Sequence, residues 1–176
     1  ERTLQLASLQ DWAGDHDGAI ASCRRVLDRH ENDPRALRRL AVLLEEQGEN
    51  AEAAQVTAHA RAANPDDATL ELLAARLAAK LGDRASADQG YRAWVSRHPD
   101  DLDGRLEAAR HAVNAGQPDL AIDDYRTVID ARGPAGLRVE LARALLASGR
   151  YAQAEAVLQA TNEKVRAATA VIAQLR

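Results

Sequence analysis

Apolar residues recur along this chain at the spacing of a helix face. Leu37, Leu40, Ala41 and Leu44 fall at i, i+3, i+4 and i+7, and Val165, Ala168, Ile172 and Leu175 again step three or four residues at a time. The pattern is interrupted at a fixed interval. Gly14, Gly48, Gly82, Gly116 and Gly149 are spaced by 34, 34, 34 and 33 residues, and Ala19, Ala53, Ala87, Ala121 and Ala154 keep the same spacings, each five residues after its glycine. Two phased series in register mark an internal repeat. The glycine ends a first helix, where a left-handed turn costs any other residue roughly 1 kcal/mol or more. The alanine stands where two helices cross closely. The predicted class is all-α.

Prolines mark the joints between repeats. Pro65 and Pro99 are 34 residues apart, each followed by Asp-Asp, and proline cannot continue the preceding helix. Pro34 falls at a first helical position, where its missing N–H is harmless. The joint R-G-P-A-G is one residue shorter in phase. With these features the chain resembles the tetratricopeptide repeat family, most clearly over 34–67, PRALRRLAVLLEEQGENAEAAQVTAHARAANPDD. There Leu37, Leu40, Ala41 and Leu44 stand where the family places W, L, G and Y, while Gly48, Ala53, Ala60 and Pro65 match its turn, packing and boundary positions. Thr57, Tyr91 and Tyr125 fill the second-helix aromatic position, with Cys23 and Leu158 in the outer repeats.

The resemblance covers nearly the whole chain and implies a right-handed superhelical solenoid, a single domain over 1–176. Its repeats run at about 1–33, 34–67, 68–101, 102–134 and 135–161, with a capping helix at about 162–176. Each repeat reads as a helix pair: about 2–13 with 17–30, 34–47 with 51–63, 68–81 with 85–97, 102–115 with 118–131, and 135–148 with 152–160.

Composition supports closely packed helices. Phenylalanine and methionine are absent, and alanine has the best helix propensity and lets backbones approach. A net charge of -4 argues against a general nucleic-acid binder, which needs a basic face to replace counterions around phosphates. The lone Cys23 cannot form an intramolecular disulfide and leaves the compartment open, periplasmic or cytoplasmic in a bacterium. No stretch approaches the roughly 18 apolar residues of a membrane span. The chain opens at Glu1, inside a predicted helix, so the expectation is a piece of a longer protein. Lys80 and Lys164 are the only lysines among many arginines, which suggests a GC-rich bacterial genome.

In the resembled family the first helices line the inner face of the superhelix, and their positions two, five, six, nine, twelve and thirteen contact partners. Position nine is Arg76, Arg110 and Arg143 in three consecutive repeats, joined by Arg35, Arg38, Arg39 and Lys80 in a basic strip suited to acidic side chains or a carboxylate. The alternative is structural: Glu107 precedes Arg110 and Glu140 precedes Arg143 by three residues, the spacing of intrahelical ion pairs. Leu72, Leu106 and Val139 at position five form an apolar band, for partner contact or for packing between first helices. The paired asparagines and lysines of the clamps that bind chaperone C-termini are not reproduced.

Catalytic patterns are missing. His16 and His30 share the first repeat and His59, His98 and His111 fall one to a repeat, with no H-E-x-x-H and no Cys–His pairing, and the D-H-D-G run at Asp15 fails the calcium-loop pattern. His30 and His98 are expected at second-helix ends, where a cation complements the dipole. Cys23 is expected as a small buried hydrophobe, and Asp119, Asp123 and Asp124 as a solvated acidic face. The expectation is a non-enzymatic protein-interaction scaffold with no cofactor and no metal, of a kind used in envelope assembly or exopolysaccharide export. The alternative is the recognition arm of a larger enzyme such as a glycosyltransferase. Self-association through exposed repeat ends is a further expectation.

Overall fold

In the computed structural model the described residues are 2–133 and 135–174, with side chains described as far as Asn162 except at 135. They form α1 (Arg2–Trp12), α2 (His16–Leu27), α3 (Pro34–Glu46), α4 (Asn50–Ala63), α5 (Ala68–Lys80), α6 (Arg84–Arg97), α7 (Leu102–Asn114), α8 (Pro118–Arg132), α9 (Ala135–Ala147) and α10 (Tyr151–Gln174). The residues group into two compact units, Glu1–Tyr91 and Arg92–Arg176.

The phased residues behave as their chemistry requires. The five repeat glycines have φ between 72° and 81°, the left-handed region that only a residue without Cβ enters at little cost. The five alanines are each 1% exposed or less. A larger side chain there would hold the paired helices apart. The Asp-Asp pairs also find a use: the second aspartate, Asp67 or Asp101, caps the next helix by accepting from the N–H of Thr69 or Asp103. Asp33 does the same for α3.

In the first unit α3 supplies Leu37, Leu40, Leu43 and Leu44, which pack with Leu70, Leu73 and Leu77 of α5. Consecutive helices touch from α1 to α5, and α3 also reaches α5. In the second unit Ile122, Tyr125, Val128 and Ile129 of α8 pack with Leu137, Leu141 and Leu145 of α9.

Two boundaries differ from expectation. A separate capping helix does not form, because α10 runs unbroken from Tyr151 to Gln174. No glycine or proline interrupts it, and Thr161 spends its hydroxyl on the Val157 carbonyl at 2.7 Å within the helix. The predicted apolar row from Val165 to Leu175 lies outside the described side chains. Helix α2 ends at Leu27, so His30 stands in the following turn and not at the helix end. None of the described helices is long and apolar enough to cross a membrane.

Candidate protein-interaction surface

First helices within each unit are joined by charge. In the first unit Arg39 of α3 donates to Asp11 of α1 at 2.8 Å, while Arg76 and Lys80 of α5 both donate to Glu45 of α3, at 3.2 and 2.5 Å. Glu45 is only 8% exposed, and two cations offset the desolvation of its carboxylate. Arg38 reaches Asp67, the α5 cap, at 3.2 Å. In the second unit Arg110 of α7 grips Glu140 of α9 through Nε and Nη2 at 2.9 and 2.7 Å. These pairs run between helices, not along one helix as Glu107–Arg110 and Glu140–Arg143 would. Arg143 is exposed, and its charge is felt by Glu140.

The Arg110 hydrogen bond holds the Glu140 carboxyl below its ordinary range. The Tyr125 hydroxyl, pushed up to about 12 chiefly by burial, donates to the same carboxylate at 3.2 Å. A depressed folded-state pKa contributes stability that is present above the ordinary carboxylate value and is lost as pH falls through the folded value. Asp124 works in the opposite sense, since burial raises it. Glu140→Gln is therefore expected to flatten the acid limb of the second unit's stability as pH falls below the ordinary carboxylate range, by about 1 kcal/mol or less given the exposed guanidinium. Urea unfolding across that fall in pH checks it, and an unchanged acid limb would count against the pairing.

One cavity of about 340 Å³ opens between α1, α3 and α5 of the first unit. Arg35, Arg38 and Arg39 line it with Gln5, Ser8 and Thr69, above an apolar floor of Leu4 and Val42. Among the described residues, none of those lining it is a carboxylate. Arg39 Nε is buried there without a hydrogen-bond acceptor among the described residues. Of the remaining candidates, Leu72 and Leu106 are half-buried, Leu106 against the core of its unit, and Val139 is 38% exposed.

Two family profiles, both described as tetratricopeptide repeat, match this sequence, one over 13–77 and 112–176 and the other over 72–135. The chain belongs to the tetratricopeptide repeat family. Its fold is shared with solved structures at low identity. The crystal structure of MamA protein is similar over 92% of this chain and 89% of its own, with TM-score 0.82 and 17% identity. MamA 41-end from Desulfovibrio magneticus RS-1 is similar over 94% of each chain, with TM-score 0.83 and 14% identity. No curated protein matches the sequence.

Several side chains acquire roles that the repeat pattern does not announce. Asp11, His16 and Glu46 bring ligand-capable atoms within 4.8 Å of one another, although His16 and Arg39 already occupy the two oxygens of Asp11. Asp124 is not a solvated outer charge but pairs with Arg105 at 2.6 Å, both largely withdrawn from water. Cys23 is fully buried, and burial pushes its thiol up to about 11, as expected of an inert core position. On α1, Leu9 and Trp12 are 64% and 89% exposed.

Proposed function

We propose that this tetratricopeptide repeat chain is an interaction scaffold that holds an acidic segment of a partner protein against α1, α3 and α5. The observation that carries the reading is the cavity whose described lining sets Arg35, Arg38 and Arg39 around an apolar floor. Arg38 and Arg39 are each oriented by an aspartate outside the lining, Asp67 and Asp11, so their forks are held in place before a ligand arrives. Guanidinium groups suit this task because their donors are fixed in a plane that matches a carboxylate. Leu4 and Val42 give the same ligand an apolar contact. The setting we propose is bacterial envelope assembly, including exopolysaccharide export, on the preponderance of arginine over lysine alone.

A fluorescent peptide alternating glutamate and leucine serves as the probe. Its affinity at low salt is expected to fall about five- to tenfold in Arg35→Ala/Arg38→Ala, and the wild-type affinity to weaken as salt rises past the Debye regime. Equal binding by wild type and variant, measured by anisotropy with helicity matched by circular dichroism, would move the interaction elsewhere on the molecule.

A further inference from the structure

A second opening, of about 210 Å³, lies between α4 and α5 in the first unit. Its origin is visible when the α4–α5 contact is compared with the corresponding α8–α9 contact of the second unit, using the phased alanines and glycines as register. Where α8 presents Ile122 and Tyr125, α4 has Ala54 and Thr57. Where α9 presents Leu141 and Leu145, α5 has Ala74 and Ala78. All four large side chains are buried in the second unit. Leu77 and Leu81 return part of the missing volume, in place of Ala144 and Ser148. The remainder is the slot, and the largest single deficit in it is the ring of Tyr125.

We propose that this slot docks one aromatic side chain borne by a partner protein, with a carboxylate beside it for Arg61. The ring follows from what fills the matching space: Tyr125 is 2% exposed and reaches Glu140 of α9 with its hydroxyl. In the first unit the counterpart of Glu140 is the buried Leu73, and Thr57 Oγ1 is spent on the Ala53 carbonyl at 2.7 Å. The slot therefore asks for a ring without a polar tip. Charge selects what flanks it. Arg61 lines the slot and is exposed, and it makes no hydrogen bond or ion pair among the described residues, whereas Asp83 is engaged in capping α6 through Ser86. Asp83 keeps its negative charge while capping, so Arg61 is the lining charge left without a partner, and the complement of that cation is an acidic neighbour of the ring. The occupant is attached to a partner because the slot lies at the surface, with the exposed Arg61 and Leu81 in its lining. Sites for free small molecules enclose most of the ligand, whereas a single aromatic anchor in a shallow pocket is the usual hot spot of a protein interface. The slot is independent of the arginine-lined cavity between α1, α3 and α5.

The test uses three probes, the dipeptides acetyl-Asp-Trp-amide and acetyl-Asn-Trp-amide and free indole, followed through the methyl resonances of Ala54, Ala74 and Ala78. The Asp dipeptide is expected to shift these methyls saturably and to bind about two- to fivefold more tightly than the Asn dipeptide, a preference that Arg61→Ala removes. Two slot-filled variants should lose the response about tenfold or more. One is Ala74→Leu/Leu77→Ala/Ala78→Leu, which transplants the α9 set; the other is Thr57→Tyr. Each is compared at matched helicity, and if neither folds, the Asp-against-Asn preference and its loss in Arg61→Ala decide alone. The proposal is overturned if no probe shifts the slot methyls saturably, or if folded slot-filled variants respond like wild type. Free indole binding as tightly as the Asp dipeptide would make the slot a small-molecule cavity and overturn the partner-borne ring.

Discussion

Leu44→Ala is expected to lower the unfolding free energy of the first unit by about 2–5 kcal/mol, a leading single-residue effect. Leu44 is 1% exposed and packs in the cluster that joins α3 to α5. Truncation removes three carbons from this cluster at about 0.8 kcal/mol each and leaves a cavity besides. The neighbours cannot close around it freely, because the buried Leu40 and Leu43 fix the same helix. Urea unfolding followed by circular dichroism measures the loss, and hydrogen exchange of the α3 amides localises it, since repeat stacks unfold in parts. Leu120→Ala is the control: Leu120 is 55% exposed on α8 and its truncation should change stability by about 0.5 kcal/mol or less. A Leu44→Ala loss below about 1 kcal/mol would show that α3 relaxes into the space.

Gly90→Ala is expected to destabilise by about 1–3 kcal/mol, against the ordinary advantage of alanine over glycine in a helix. A Cβ at Gly90 of α6 would lie 2.7 Å from the Cβ of Ala75 on α5 and 3.3 Å from its Cα. Ala75 has no flexible end to swing aside, so α6 must shift off α5. Ala75→Gly removes the obstructing methyl, and the double variant Gly90→Ala/Ala75→Gly should be less destabilised than the two single variants added together. Strict additivity, read from thermal or urea unfolding of all four proteins, would mean that the helices are not in contact at these residues.

The repeat was legible because its signals are local. A glycine that must enter the left-handed region and an alanine that must admit a second backbone are constraints a single position carries, so they recur wherever the unit recurs. The aspartate caps were legible too, in the Asp-Asp that follows Pro65 and Pro99 and in the aspartate before Pro34, although only hydrogen bonding singles out Asp67, Asp101 and Asp33 as the caps. The basic strip was visible as residue types, with arginine at one position of three consecutive repeats. Its wiring was not. Glu140 is three residues from Arg143 and thirty from Arg110, yet Arg110 takes both of its oxygens. Sequence distance ranks the wrong partner first when neighbouring helices place a distant guanidinium in better geometry. The acidic patch on α8 fails in the same way: Asp124 looks like its neighbour Asp123, but the helix turns one toward Arg105 and leaves the other exposed.

By itself, the amino-acid sequence determined the all-α class, the period, the helix pairs and the residue types that line first helices, because each follows from steric and hydrogen-bonding demands within a few residues. The tertiary structure alone decided which charges meet, which arginines surround a cavity, and where small side chains leave a slot, because these depend on the register of one helix against another. That register comes from the summed packing of whole faces, in which no single residue carries enough of the energy to announce it.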